Sequence, residues 1–530
     1  MTESTIQTMG MQEEQTIVIG AGMGGLAAAM RLAHAGHRVT VLEAQAGPGG
    51  KMRTLPSVAG PGDTGPTVLT MRHVFDTLFA DVGLSLEDYV TLSPEQVLAR
   101  HWWPDGSTLD LFADADDSAR AVRDFAGATA EREFRAFSAA AARLFDAFDG
   151  PIMHSPAPRL AGLVAHVALR PRLIPAMAPV STLASRLARQ FSDPRLRQLF
   201  GRYATYVGGS PYQVPAVLAL IWHAEASGVW RVNGGMGALA RALQAAAERL
   251  GVTFRFGEAV ARLETQGGRL AAVHTSQGTR LICDSAVFNG DPRALATGLL
   301  GPAAQEEEPQ KATEPRSLSA NVWAFAAEYT GPELAHHNVF FGADPRTEFD
   351  PIRAGQLPED PTLYICAQDR GGDQTPPQTE RFEIIMNAPP LPGGAPEDPE
   401  TCRTRTFQTL ARHGGAFSPE PGDQSVTTPA GFDRLFPASQ GSLYGRSPHG
   451  LTAAFARPTA RTSLPGLYLA GGGAHPGAGV PMATLSGKHA AEAIVTDRAL
   501  TSKSQQTATR GGMSTAAATM AAAPSRSSPS

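Results

Sequence analysis

The stretch Thr16-Ile-Val-Ile-Gly20-Ala-Gly22-Met-Gly-Gly25 constrains this chain more than any other. A hydrophobic run ends in glycines at 20, 22 and 25, and an apolar helix-forming run containing Ala29 and Leu32 follows. A second apolar run from Val39 then closes on Glu43, 18 positions after Gly25. Glycines at this spacing are common in loops. Between strand and helix of one βαβ unit, with an acidic residue ending the second strand, they define a dinucleotide-binding turn. Gly20 makes the tight turn, Gly22 lets the backbone approach a pyrophosphate, and Gly25 lets helix and strand pack closely. The helix N-terminus offers unpaired N–H groups and positive potential to phosphate. Glu43 is placed to accept hydrogen bonds from adenosine ribose hydroxyls and would repel a 2′-phosphate. The pattern predicts strands over 15–19 and 38–42 and a helix over 24–35, with Gly36 just past its end.

The whole chain, at 530 residues, has room for about three packing units or two large ones. Its formal charge of −5 supplies no basic field for nucleic acid. The cations are nearly all arginine, lysine occurring only at 51, 311, 488 and 503, which reads first as compositional bias. Cys283, Cys366 and Cys402 lie far apart, which excludes zinc sites of the usual spacing and a disulfide framework and suits a reducing cytoplasm. No apolar run reaches the ~18 residues of a spanning helix, and the polar start MTESTIQTMG does not read as a secretory signal. Residues 1–14 read as a flexible arm. Residues 499–530, rich in Ser, Ala, Thr and Pro, read as a disordered tail because they carry too little apolar surface to offset ordering entropy.

Between these ends the periodicity predicts helices over 118–148, 236–250 and 483–494. Strands are expected within 252–288 and over 362–367, 382–387 and 466–470. Residues 150–180 are apolar but broken by Pro151, Pro156, Pro158, Pro171, Pro175 and Pro179, with Arg159, Arg170 and Arg172 interspersed. That stretch fits either a bilayer surface or a loop-and-helix layer of a substrate domain.

Three further segments carry a resemblance. Gly49-Gly50-Lys51 begins six positions past Glu43, and Asp63-Thr-Gly65-Pro66-Thr67 follows. Near the other end stands Gly466-Leu-Tyr-Leu-Ala-Gly471-Gly472-Gly473-Ala-His475-Pro476-Gly477-Ala-Gly479-Val480. Together these resemble the FAD-dependent amine oxidase and carotenoid desaturase superfamily over about residues 15–494. Lys51 stands where that superfamily more often has arginine, keeping the cation but losing the fork. The resemblance implies an α/β protein: a Rossmann-like FAD-binding domain formed by 15–105, 225–300 and 440–498, and a second α+β substrate domain formed by 106–224 and 301–439. It implies that FAD meets Gly20, Gly22, Gly25, Glu43, Gly49, Gly50, Lys51, Gly65, Pro66, Thr67, Gly471, Gly472, Gly479 and Val480. Gly234-Gly235-Met236 and Gly251-Val252 match the family's second FAD segment, which implies that the Val260 backbone meets the adenine. Asn289-Gly-Asp291-Pro292 resembles the family's N-A-D-P turn.

The closing run Val480-Pro-Met-Ala-Thr-Leu-Ser486-Gly487-Lys488-His489 and the upstream Leu443-Tyr-Gly-Arg446-Ser-Pro-His449-Gly450 resemble the branch of 1-hydroxycarotenoid 3,4-desaturases (hydroxy- or methoxyneurosporene dehydrogenases). That likeness implies hydride transfer from an acyclic carotenoid to flavin, with oxygen or a quinone as final acceptor. It also implies a cytoplasmic protein held peripherally on the inner, photosynthetic membrane. No metal and no nucleic acid are implied. The catalytic residues stay unassigned: Glu225, His223 and His475 are candidate proton acceptors, and His475, set between turn residues, reads as positional. Arg202-Tyr203-Ala-Thr-Tyr206 resembles a desaturase segment lining the polyene tunnel, whereas periodicity alone places Tyr203, Tyr206 and Trp222 in a core. Phytoene desaturase, carotenoid isomerase and a prenyl-binding GDI-like protein remain the alternatives.

Overall fold

The computed structural model describes residues 14–305, 310–372, 375–391, 399–450 and 452–512. Two sheets organise it. The first has five parallel strands in the order Leu467–Leu469, Ser285–Phe288, Gln15–Ile19, Arg38–Glu43 and Thr253–Phe256. Both faces are covered, so its strands are continuous apolar runs. Val18 and Val41 face a helical layer that includes Leu26, Leu239 and Leu485, while Ile17, Ile19 and Leu42 pack with Leu263, Leu270 and Val273 of a three-stranded antiparallel sheet. Helix Met23–His34 ends as expected: Gly36 takes a positive φ, and His37 N–H donates to the Leu32 carbonyl at 3.0 Å.

The second sheet runs Ala416–Ser418, Ser319–Thr330, Glu380–Ala388, Leu363–Ala367, His337–Phe340, Val97–Trp102 and Thr108–Phe112, with Val426–Thr427 also paired to Ser319–Thr330. Only the His337–Phe340 and Val97–Trp102 strands pair in parallel within it. One face packs Val339 and Phe341 against a helical layer containing Phe134, Phe137, Phe200 and Trp222. The other packs Trp323, Phe325, Ile365 and Phe382 against helix Pro399–Arg412.

Several expectations change. The boundary placed at 105 falls inside a hairpin of the second sheet, because Val97–Trp102 already belongs there and pairs with Thr108–Phe112. The helix expected over 118–148 begins at Ala115, where the Asp114 carboxylate accepts from the Asp116 and Asp117 N–H groups, and Gly127 interrupts its helical backbone. Within 150–180 the chain forms the end of a π-helical turn, Asp149–Met153, and the short helices Leu160–Ala168 and Leu173–Met177. The final helix is Val480–Gly512, not 483–494, so the tail expected from 499 is helical as far as Gly512. That extension lacks proline, and its Ala, Gln, Lys and Arg residues suit a helix. Residues 513–530 and 1–13 lie outside the described residues.

Candidate active site

Every strand of the parallel sheet delivers its next residues to one edge. Ile19 leads to Gly20, Phe288 to Asn289, Leu469 to Gly471, and Glu43 closes its own strand. The strand order reverses across Gln15–Ile19, which opens a ligand crevice beside Gly20. Helix Met23–His34 starts at Gly22 with no side-chain cap and no acidic residue in its first turn, an arrangement that favours an anion. Gly20 has a positive φ, and a Cβ on Gly25 would overlap the Gly20 carbonyl. Gly49 N–H donates to the Ala21 carbonyl at 2.9 Å, and a Cβ on Gly50 would stand 3.2 Å from Gly22 Cα. The Gly20–Gly25 and Gly49–Gly50 segments therefore form one backbone-lined surface.

Glu43 is buried at the end of its strand. Its Oε2 accepts from Ala21 N–H at 2.7 Å and its Oε1 from Gln45 N–H at 2.8 Å. Each oxygen retains a lone pair, so a ribose hydroxyl could still donate. Val260 opens the strand Val260–Gln266 instead of closing one. It stands two residues past Glu258, whose N–H donates to the Glu43 carbonyl at 2.9 Å.

Lys51 Nζ donates to the Leu443 carbonyl at 2.5 Å and lies 5.5 Å from the Phe436 ring centroid. Burial is the main cause that lowers its pKa to about 8; Asp291 opposes the shift, and Arg316 and Arg457 add to it. Asp291 is itself paired with Arg316, so the Lys51 ammonium is only partly compensated, which suits a pyrophosphate neighbour. Gly65 packs against the Lys51 carbonyl, where a Cβ would overlap. Just before it, the Asp63 carboxylate caps helix Met236–Arg249, accepting from Met236 N–H at 2.5 Å and Gly237 N–H at 3.2 Å. Burial raises the Asp63 pKa. Gly65 N–H donates to Glu383, whose pKa burial pushes well up. Thr67 Oγ1 lies 2.7 Å from the Tyr364 hydroxyl. Pro66 is half-buried between them.

The C-terminal glycines reach the same edge. Gly471 N–H donates to Ser486 Oγ at 2.7 Å, and a Cβ on Gly471 would come within 2.8 Å of Asn289 Oδ1. Asn289 Nδ2 donates to the Gly20 carbonyl at 3.2 Å, while its Oδ1 is buried without a hydrogen-bond partner. Helix Val480–Gly512 crosses Met23–His34 so closely that a Cβ on Gly487 would overlap the Gly24 carbonyl. Around Gly472 and Gly479 an added Cβ would meet nothing nearer than 3.9 Å. The Val480 side chain joins the hydrophobic core, leaving only its backbone for a ligand. The orphaned Asn289 oxygen, the uncapped helix start and the Cβ-intolerant glycines fit a flavin dinucleotide, whose pyrophosphate needs backbone donors and close approach.

The three candidate proton acceptors separate in space. His475 Nε2 hydrogen-bonds the carbonyls of Ile152 and Ser155 at 3.1 and 2.9 Å, and His489, at 5.9 Å between ring centroids, reaches the Met153 carbonyl at 3.1 Å. His475 therefore holds the 152–155 segment, and burial lowers its pKa to about 4. His223 hydrogen-bonds Ser227 Oγ at 3.3 Å. Glu225 is buried and accepts from the Tyr203 and Tyr206 hydroxyls, with Arg202 about 5 Å over both rings. Tyr203 and Trp222 are core residues and Tyr206 is half-buried. Motif reading missed Tyr364, His337, Glu383 and Cys366, whose only signal is their register in the second sheet. Among the described residues, His336, His337 and Cys366 bring potential ligand atoms within 4.8 Å of one another.

Comparison with known proteins agrees with this geometry. The model of the family described as flavin containing amine oxidoreductase matches residues 23–495, and the chain belongs to that family. The fold is shared with cyclohexylamine oxidase from Brevibacterium oxydans, at TM-score 0.56 and 17% identity over 92% of this chain and 99% of that one. FAD is the cofactor. Within the family the chain is a carotenoid desaturase, most like the hydroxyneurosporene desaturases. The example from Cereibacter sphaeroides is 58% identical over 92% of this chain and 99% of its own length. A 1-hydroxycarotenoid 3,4-desaturase from a Flavobacterium species is 29% identical over 91% of this chain and 99% of its own.

Proposed function

We propose that this enzyme desaturates the C3–C4 bond of an acyclic 1-hydroxycarotenoid such as 1-hydroxyneurosporene. The reading is supported by the likeness to hydroxyneurosporene desaturases across nearly the full length of both chains. The structural observation that carries it is the meeting of Gly20–Gly25, Gly49–Gly50 and Gly471 at one sheet edge, with Gly65 packed on the Lys51 carbonyl and the buried Thr67 joined to the half-buried Tyr364. We assign Gly20, Gly22, Gly25 and Lys51 to the pyrophosphate, Glu43 and the Val260 backbone to adenosine, and Gly65, Pro66, the Thr67 backbone, Gly471, Gly472, Gly479 and Val480 to the flavin side. FAD, when bound, supplies a two-electron hydride acceptor. The chain's own contribution is orientation of the polyene and exclusion of water. Glu225 fixes Tyr203 and Tyr206 through their hydroxyls, and His475 fixes the 152–155 segment; both are positioning residues. Oxygen or a membrane quinone takes the electrons onward.

The surface of 152–180 docks on the bilayer that holds the carotenoid. Helix Leu160–Ala168 buries none of its residues. Leu169 and Val180 are 81% and 96% exposed, and Arg159, Arg170 and Arg172 stand beside them to meet lipid phosphates. No helix among the described residues is long and apolar enough to cross a membrane, so the contact is interfacial.

Reconstitution with FAD and liposomes carrying either 1-hydroxyneurosporene or phytoene tests the assignment. The expected product is lighter by two hydrogens, red-shifted, and formed from the hydroxylated substrate. Preferred turnover of phytoene would move the chain to phytoene desaturation, and a product of unchanged mass would make it an isomerase.

A further inference from the structure

The floor of the second sheet is unexpectedly polar where it meets the Asp63–Thr67 loop. His337 pairs directly across from Cys366, and Cys366 pairs across from Glu383. Tyr364, two residues from Cys366, shares their face. Above them Thr67 Oγ1 lies 2.7 Å from the Tyr364 hydroxyl, which lies 2.7 Å from His337 Nδ1. Thr67 is 8% exposed and His337 1% exposed, yet His337 Nε2 has no hydrogen-bond partner. Glu383, fully buried, likewise leaves Oε2 unpartnered. Orphaned buried polar atoms cost about 1–3 kcal/mol each, so their concentration here calls for a ligand. A pure hydrocarbon would leave them unsatisfied.

The chain runs from His337 through Tyr364 and Thr67 to Glu383, whose carboxyl also hydrogen-bonds the Thr67 hydroxyl, and both of its ends are unpartnered. Burial keeps His337 neutral and favours the protonated form of Glu383. If Nδ1 carries the proton, it donates to Tyr364, Tyr364 to Thr67 and Thr67 to Glu383, and the spare groups are the Nε2 lone pair and the Glu383 acid O–H. In the other tautomer the directions reverse, and the spare groups are the Nε2–H and the Glu383 carbonyl oxygen. Either way one donor and one acceptor remain, which is what a single hydroxyl presents. The reaction chemistry puts such a hydroxyl here. In a 1-hydroxycarotenoid only C2 separates the hydroxylated carbon from C3, so its oxygen stands three bonds from a carbon that loses hydrogen. It must enter the reaction chamber together with that carbon.

We propose that His337 and Glu383, linked through Tyr364 and Thr67, form the subsite for the C1 hydroxyl and thereby select hydroxylated over unhydroxylated acyclic carotenoids. This rests on the 3,4-desaturase reading above. The test measures dissociation constants, by carotenoid absorbance shift, and kcat and KM for 1-hydroxyneurosporene and neurosporene on the FAD-loaded protein. The wild type should favour the hydroxylated compound. In Tyr364→Phe and Thr67→Val that preference should fall about 10- to 100-fold, mostly through KM and binding, while Thr67→Ser retains it. FAD content and melting temperature report folding in each variant. A wild type that does not accept the hydroxylated compound would overturn the functional reading and the subsite with it. A wild-type preference that survives both Tyr364→Phe and Thr67→Val would overturn the subsite alone. So would a stoichiometric transition metal in the purified protein, because it would commit His337 to a site with His336 and Cys366.

Discussion

The two halves of this molecule recognise by opposite means. The parallel sheet presents almost no side chains at the edge proposed for FAD: Gly20, Gly22, Gly50 and Gly471 leave bare backbone there, and Glu43 is the main side chain. The second sheet presents large, mutually hydrogen-bonded side chains, with Tyr364, His337, Glu383 and Thr67 held in one buried array. A phosphate is chemically uniform and can be held by N–H groups, whereas choosing among long polyenes requires side chains shaped for one end group. The first half should therefore tolerate least, and the second should change selectivity before stability.

The largest break is expected where backbone approaches backbone. Gly487→Val should cost about 3 kcal/mol or more, because its Cβ has no room against the Gly24 carbonyl; a lowered melting temperature and loss of retained flavin would report it. Next comes Glu43→Ala, which strands the Ala21 and Gln45 N–H groups. FAD affinity should fall about 100-fold with circular dichroism unchanged, and an unaltered flavin titration would remove Glu43 from the adenosine site. A smaller effect sharpens the contrast from outside: Leu160→Asp with Val164→Asp should lower vesicle binding about tenfold without changing flavin content, as read by co-sedimentation. A pH dependence completes the set. Lys51 has a folded-state pKa near 8, below its unfolded value, so the folded chain sheds this proton first and its stability rises as pH goes from about 8 towards 10.5. Denaturant midpoints of apoprotein should show that rise and Lys51→Met should lack it. Bound FAD, by pairing the ammonium, should flatten the wild-type curve.

The halves also differ in how far the sequence speaks for them. The strand, turn, helix and acid of 15–43 were legible because each has a fixed spacing and a local physical cause, and Gly36 even marked the helix end. Tyr364, His337 and Glu383 were not, since nothing local distinguishes them; their common face arises only from pairing across strands far apart in sequence. Nor was helix Pro345–Arg353 anticipated. Pro345 sits in the first turn of helix Pro345–Arg353, behind the Asp344 cap, where its missing N–H costs nothing. The boundary at 105 split the hairpin 97–112 for the same reason that hid the floor residues: its partner strand, His337–Phe340, lies more than two hundred residues downstream. His475 and Glu225 were recognisable as chemically able groups, but only their hydrogen bonds show that both are already engaged.

The contact between Gly24 and Gly487 joins the first and the final helix of the described residues, more than 450 residues apart in sequence. A ribosome making this protein must release everything between them before that crossing can form. A message truncated anywhere before the final helix therefore yields a product that lacks it.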